Sequence, residues 1–249
     1  MSEQPNESMG RPESQNLIRS FKDKYPENLE GITALEQLTA FFEEEKEQLK
    51  YRGDQSPEAL KLRESLIQYQ MLVAHFIIAN GHDRELLEDF WKVSEDVVNQ
   101  LEYNDGINFK VFRFGILTQV AVYKIFEKIK KDPRTPHPRE DLTYKIDLWA
   151  DENTPIQIKG RTVGSKFKIL NLDDTGMDAQ RKRNEGISEL LLRHLKRFKK
   201  NVTRPGSPFG DENAKGLLVA IPHDTFDLVT GEPSEEVMRV AKEYLGIQE

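Results

Sequence analysis

One short run constrains the fold of this chain more than any other stretch: Leu-Leu-Val-Ala-Ile at positions 217–221. This apolar run is bounded by Gly216 and Pro222, and it has the length of a strand. Unbroken apolar runs of this length are typical of strands covered on both faces, as in α/β proteins. The run therefore predicts a sheet with helices on both sides.

The residues around this run alternate between helical and strand periodicity. The predicted elements, in order, are a helix over 109–130, strands over 144–150, 156–159 and 167–172, a helix over 178–200, the strand at 217–221 and a helix over 233–245. A loop rich in proline at 131–139 precedes the first strand. This order predicts an α/β domain over 106–249, in which helices flank a mixed sheet.

The N-terminal half has a different texture. Residues 1–16 are polar and are predicted to form a disordered tail. Residues 17–105 contain three helical patterns joined by short turns, which predict an all-α helical bundle domain. The three helices are expected at 26–52, 57–80 and 83–103.

Charge and composition narrow the function classes. The chain has no cysteine, which excludes disulfides, thiolate catalysis and cysteine-ligated zinc. No secretory signal or bilayer-length apolar run is evident, so a cytoplasmic protein without a membrane association is expected. Residues 1–105 hold 11 Lys/Arg against 22 Asp/Glu, whereas residues 106–249 hold 25 against 21. The acidic half is a candidate surface for a protein partner, and the basic half for phosphate contacts.

The stretch 144–160 is the candidate site. It reads as a hairpin centred on Asn153, in which Asp147 lies opposite Lys159 and Trp149 opposite Gln157, all on one face. The other face would carry the apolar residues Ile146, Leu148, Ile156 and Ile158. A carboxylate, an amide and an ammonium would then converge above an apolar sheet. The structural alternative for the two charges is an exposed cross-strand ion pair worth at most ~1 kcal/mol.

The predicted helix at 178–200 is strongly basic. Its apolar side is expected to contain Ile187, Leu190, Leu191, Leu195 and Phe198. Nucleic-acid backbones attract such a helix through counterion release, and the alternative is an ordinary solvated face. The cations assigned to nucleic-acid binding are Lys182, Arg183, Arg193, Lys196 and Arg197. Among the histidines, only His137, which lies between two prolines, is kept as a site candidate.

A helix, Asp147 on one strand, Gln157-Ile-Lys159 on the next, then a helix and a strand together resemble the PD-(D/E)xK phosphodiesterase superfamily. This restriction-endonuclease-like group includes restriction endonucleases, junction resolvases and repair nucleases. The resemblance covers about residues 109–246. The Gln-x-Lys variant is similar to that of the Mrr-type endonucleases.

The resemblance implies a role for each matched residue. Asp147 would be the main ligand of Mg²⁺ or Mn²⁺, with the side-chain oxygen of Gln157 and the carbonyl of Ile158 completing the shell. Lys159 would position the attacking water or stabilise the developing negative charge. Gln119 would orient the site from the preceding helix. Two positions where the family often has carboxylates carry amides here, so Asp147 stands alone unless Asp141 or Glu140 turns toward it.

The expected function is therefore a divalent-metal-dependent nuclease that hydrolyses phosphodiesters, with DNA favoured over RNA. Many such nucleases act as homodimers. The alternative is a nuclease-fold module with a decayed catalytic site that binds nucleic acid or a protein partner, the latter through the acidic helical domain.

Overall fold

The computed structural model describes residues 11–45, 56–100, 109–162, 164–176, 187–204, 207 and 215–247. The chain divides into two compact units, Met1–Arg113 and Phe114–Glu249.

The boundary between the units lies inside the helix Phe109–Lys128 rather than at the predicted position 105/106. The reason is aromatic packing at the start of that helix. Phe109 lies edge-on to Trp91, with ring centroids 6.3 Å apart, and Phe112 stacks on Tyr69 at 5.7 Å. The first turn of the helix thereby belongs to the N-terminal unit.

The described part of the first unit is helical, as predicted. Its helices are α1 (Arg11–Lys24), α2 (Leu29–Glu45), α3 (Pro57–Ala79) and α4 (Arg84–Gln100). Helix α1 packs on α4 and α2 packs on α3. Phe76 and Phe90, both without solvent exposure, meet at its centre with ring centroids 4.7 Å apart. Ser56 accepts a hydrogen bond from the amide of Ala59 and begins α3.

The predicted disordered tail is wrong for residues 11–16, because they form the beginning of α1; residues 1–10 lie outside the described part. Burial of Ile18 and Phe21 explains this helix, since both side chains are in the core of the bundle. Lys24 at its end bonds Glu85 and Asp89 on α4, at 2.8 and 2.6 Å. The sequence analysis did not recognise Ile18 and Phe21 as buried residues because the segment around them is polar.

The second unit is built on a four-stranded sheet. After α5 (Phe109–Lys128), its elements are α6 (Pro138–Tyr144), β1 (Leu148–Trp149), β2 (Pro155–Arg161), β3 (Lys168–Asn171), a 3₁₀ turn (Leu172–Gly176), α7 (Glu189–Val202), β4 (Leu217–Pro222) and α8 (Glu235–Tyr244). The strand order is β1-β2-β4-β3. The two inner strands are parallel, and each edge strand is antiparallel to its neighbour.

Helices cover both faces of this sheet. Leu218 and Ala220 on β4 belong to one apolar cluster with Leu195 and Phe198 of α7. On the other face, Gly160 of β2 faces the Thr118 hydroxyl of α5. Every residue of β4 is buried. The predicted α/β class, with a mixed sheet flanked by helices around a covered central strand, is confirmed.

Four of the five residues predicted for the apolar side of α7 are buried, namely Ile187, Leu191, Leu195 and Phe198. Leu190 is 53% exposed, whereas Leu192, which was not assigned to the apolar side, is buried. Ser188 caps the start of α7, where its side chain accepts from the amide of Leu191. Residues 177–186, which include the first part of the predicted helix, lie outside the described residues.

Helix α6 was not predicted, since residues 131–139 were expected to form a loop that led directly into a strand. His137 begins it: its Nδ1 accepts from the Arg139 amide at 3.2 Å, while its own amide donates to Glu140 Oε2 at 2.7 Å. His137 is therefore a helix-capping residue here. Lys145 ends α6 with φ 61°, in the left-handed region.

None of the helices in the described ranges has both the length and the apolar character that crossing a bilayer requires.

Candidate active site

The hairpin at 144–160 forms, but its register differs from the predicted one. Leu148 pairs with Ile156 and Trp149 with Pro155, so the predicted pairs Asp147–Lys159 and Trp149–Gln157 are wrong by two residues. A tighter turn causes the shift, because the Ala150 amide donates to the Thr154 carbonyl at 2.9 Å. A two-residue shift preserves the alternation of faces. Gln157 and Lys159 therefore still share one face of β2.

That shared face is the one covered by α7. Gln157 pairs with Leu218 and Lys159 with Ala220, and both partners belong to the cluster with α7. Arg161, the next residue on this face, donates to the Ser188 hydroxyl at the start of α7 at 3.4 Å. The polar side chains of β2 thus point into the space between the sheet and α7.

Asp147 directly precedes β1, and its side chain continues the hydrogen bonding between β1 and β2. The Ile158 amide donates to Asp147 Oδ2 at 2.6 Å, and the Asp147 amide donates to the Ile156 carbonyl at 2.9 Å. Because the N–H and C=O of a strand residue point to the same side, the Ile158 carbonyl also faces the β1 edge. The Asp147 carboxylate and the Ile158 carbonyl are therefore neighbours beyond the end of β1.

The chain before Asp147 does not follow strand alternation. Ile146 lies in the α7-side cluster together with Trp149, so the prediction that it shares a face with Leu148 is wrong. The left-handed conformation of Lys145 and the shortness of β1 explain the difference. Only Leu148 and Trp149 have strand geometry, so the period-two argument does not extend back to Ile146.

Two amides hold the backbone around the carboxylate. Gln119 of α5 donates from Nε2 to the main-chain carbonyl of Asp147 at 2.8 Å. Gln157, which is 6% exposed, donates from Nε2 to the Lys145 carbonyl at 3.4 Å. Gln119 thus contacts the backbone of Asp147, and its role at the site would be to position that residue.

A second carboxyl group joins Asp147. Burial, with the negative charge of Asp147 added to it, raises the pKa of Asp141 on α6 to about 7. Burial also raises the pKa of Asp147, while the positive charge of Lys159, the Ile158 amide and Lys145 act in the opposite direction. Both aspartates are partly buried and keep some solvent contact. Two carboxyl groups near each other, with cations beside them, are an arrangement that a divalent cation would stabilise.

Sequence patterning left Asp141 as an alternative ligand because α6 was not predicted. A signal for it exists in the sequence: Pro138 is suited to the first helical turn, and Glu140 follows three residues after His137. A helix that begins there carries Asp141 in its first turn.

Helix α7 brings a histidine close to Lys159. His194 is half-buried, and its pKa is lowered by burial and by the positive charges of Lys159, Arg197 and Arg193. These groups therefore lie close to one another. His194 carried no recognisable spacing in the sequence, and the fold alone brings it near Lys159.

The cations assigned to nucleic-acid binding are only partly in the described residues. Arg193, Lys196 and Arg197 are exposed on the side of α7 that faces away from its apolar cluster. Lys182 and Arg183 lie outside the described residues. Two residues of this exposed stripe, Arg193 and Arg197, act on His194 together with Lys159.

The donor set fits a hard cation of the Mg²⁺ type. No cluster of three or more His, Asp or Glu side chains suited to a metal occurs in the part of the chain that the structure describes. Mg²⁺ in enzymes is, however, commonly held by one or two carboxylates together with waters and substrate phosphate. Asp147 and Asp141, with the oxygen of Gln157 and the Ile158 carbonyl, supply ligands of this kind.

No protein-family model, curated protein or solved structure matches the chain.

Proposed function

We propose that the chain is a divalent-metal-dependent nuclease of the PD-(D/E)xK type that hydrolyses nucleic-acid phosphodiesters, with DNA as the favoured substrate. The observation that carries the proposal is the meeting of two carboxyl groups, Asp141 and Asp147, with the ammonium of Lys159 at the end of a short edge strand.

The order of elements supports the same proposal. A helix (α5) precedes Asp147, the next strand carries Gln157 and Lys159, and then come a helix (α7) and a strand (β4). The last strand lies parallel beside the strand of Gln157 and Lys159. This is the order on which the resemblance to the superfamily rests, now with the pairing of its strands.

Each residue of the site has a chemical task in this proposal. Asp147 and Asp141 hold Mg²⁺ or Mn²⁺, with Gln157 and Ile158 offering neutral oxygens. The bound metal would polarise the phosphoryl oxygen and lower the pKa of a water molecule. Lys159 holds that water in line with the phosphorus or stabilises the charge that develops on the phosphoryl oxygens.

The stripe on α7 supplies the affinity for the substrate backbone. The exposed side of α7 carries Arg193, Lys196 and Arg197, which take no part in its apolar packing. Arg193 and Arg197 act on His194 together with Lys159 of the proposed reaction centre. Each phosphate contact that they make releases counterions, so binding should weaken steeply as salt rises. This contact does not depend on base sequence.

The test is cleavage of single- and double-stranded DNA and RNA in Mg²⁺ or Mn²⁺ by the wild type, Asp147→Asn and Lys159→Ala. Lys168→Ala is the matched control, because Lys168 on β3 and Lys159 on β2 both pair with Ala220 and lie on the same face. Metal-dependent cleavage should be lost in the first two variants and retained in the control. Cleavage that persists in both site variants would refute the proposal.

The amides at the site favour one alternative function. Gln157 and Gln119 stand where carboxylates would bind metal more strongly, and a decayed site of this kind would leave a module that binds nucleic acid. Salt-sensitive binding without cleavage in either metal would support this alternative. Binding to neither DNA nor RNA would instead favour an adaptor that uses the acidic helical unit for a protein partner. Sedimentation of the purified chain would test the expected homodimer.

A further inference from the structure

Arg161 is a second cation, after Lys159, in the same row as the candidate site, and no motif in the sequence drew attention to it. It is the last residue of β2, where it pairs with Pro222. Because side chains alternate along a strand, Arg161 points to the same face as Gln157 and Lys159. Gly160 lies between them. A Cβ atom added to Gly160 would point to the opposite face and would lie 2.9 Å from Nε2 of His223, which supports this alternation.

The distance between the two cations suits a nucleic-acid backbone. Residues two apart on a strand are separated by about 6.6 Å, at roughly 3.3 Å per residue. Successive phosphates along a single nucleic-acid strand have a similar separation. A strand whose phosphate is held at Lys159 would therefore bring its neighbouring phosphate to Arg161.

The Arg161 side chain is also held in place. Its Nη1 donates to the Ser188 hydroxyl at 3.4 Å, and the backbone carbonyl of Arg161 accepts from the His223 amide at 3.3 Å. A guanidinium has five N–H donors in a planar fork, so one bond to Ser188 leaves others for a ligand. The side chain is only partly exposed, so it is oriented before a ligand arrives.

The candidate site beside Arg161 carries other cations. Lys159 lies two residues before it, and the charges of Arg193 and Arg197 on α7 act on His194 together with Lys159. A planar fork in such a place suits bidentate contact with a phosphate.

We propose that Arg161 binds the backbone phosphate next to the one that is cleaved, and so fixes the direction in which the nucleic-acid strand crosses β2. The inference rests on the proposed nuclease function and adds a positioning residue to it. The ligand is the pair of non-bridging oxygens of one phosphate on a single strand. The contact involves no base.

The experiment neutralises one phosphate at a time. Oligonucleotides carrying a single methylphosphonate at each position on either side of the cut are compared as substrates for the wild type, Arg161→Gln and Arg161→Lys. In the wild type, one flanking position should reduce kcat/KM by roughly tenfold to a hundredfold, as expected for loss of a charge-assisted contact. Arg161→Gln should lose a similar factor on the unmodified substrate and show no further loss at that position. Arg161→Lys should fall between the two.

A purely structural role for Arg161 gives a different result. If Arg161→Gln only loosened the start of α7, all substrates would be affected equally and the methylphosphonate effect would persist, which would overturn the assignment. Arg239→Gln is the matched control, since Arg239 on α8 is an exposed arginine that forms ion pairs with Glu236 and Glu243 of its own helix. This variant should behave as the wild type. Absence of any metal-dependent cleavage by the wild type would refute the proposed function itself.

Discussion

Replacing Asp141 by asparagine should stabilise the metal-free protein at neutral and alkaline pH while it removes a proposed metal ligand. The reason is that the folded chain keeps the carboxyl beside Asp147 and partly out of water, so that ionisation is unfavourable there. Asparagine has nearly the same shape and no charge. Stabilisation by a substitution is the reverse of what most substitutions cause, and here it would follow from the removal of a charge.

The magnitude follows from the raised pKa. A carboxyl whose pKa rises from 3.8 to about 7 destabilises the ionised folded state by about 4 kcal/mol, at about 1.4 kcal/mol for each tenfold change in proton affinity. Because Asp141 keeps some solvent contact, we expect about half of this, roughly 2 kcal/mol at pH 8. Below pH 4 the carboxyl is protonated in both the folded and the unfolded state, so the difference disappears. Between pH 4 and 7 the unfolded chain loses its proton first, and the stability of the wild type falls as pH rises.

Urea unfolding followed by circular dichroism in EDTA, at pH 5 and pH 8, measures this effect. The free energy of unfolding of Asp141→Asn should exceed that of the wild type by about 1 kcal/mol more at pH 8 than at pH 5. Glu152→Gln is the control, since Glu152 is an exposed carboxylate in the β1–β2 turn, and it should show no such trend. Adding Mg²⁺ should stabilise the wild type more than Asp141→Asn. A difference that does not change with pH would refute the electrostatic reasoning, and equal stabilisation by Mg²⁺ would refute the ligand role.

Two further substitutions test the support of the site. Gln119→Leu removes the 2.8 Å hydrogen bond to the Asp147 carbonyl, so it should cost about 1 kcal/mol of stability and lower kcat with KM nearly unchanged; full activity would contradict the positioning role. Leu192→Ala should cost about 2–5 kcal/mol because the side chain is buried under the sheet, while Leu190→Ala, at 53% exposure, should change the unfolding midpoint little. Equal effects of the two leucine substitutions would show that the phase of α7 is different.

Periodicity predicted the elements better than the contacts between them. The covered strand at 217–221 and the helices on both faces followed from apolar patterns alone, because burial on two faces leaves no polar positions. The apolar side of α7 followed for four of its five predicted residues, whereas Leu192 and not Leu190 proved to be buried. The anchor of α1 was missed because two buried apolar residues, Ile18 and Phe21, lie in a polar stretch.

The sequence predicted that the site residues of β2 share one face of the sheet, but it did not predict the register in which β1 pairs with β2. Gln157 and Lys159 share a face in either register, because a two-residue slip returns every side chain to the same side. The partner of Asp147 depended on the turn, whose hydrogen bond between Ala150 and Thr154 no hydrophobic pattern encodes. Asp141 and His194 reach the site through the packing of α6 and α7, and such tertiary proximity leaves no local mark in one sequence.

The left-handed turn at Lys145 ties the strain of the backbone to the charge of the site. A non-glycine residue in this conformation costs about 1 kcal/mol, and glycine would remove that cost. The positive charge of the Lys145 side chain, however, acts to lower the pKa of both Asp141 and Asp147, against the effect of burial. The backbone carbonyl of Lys145 accepts a hydrogen bond from the Gln157 side chain. An engineer who relaxed this turn with glycine would gain a better helix end and increase the repulsion between the carboxylates. The turn is therefore a place where backbone strain and the charge balance of the two carboxyl groups oppose each other in a single residue.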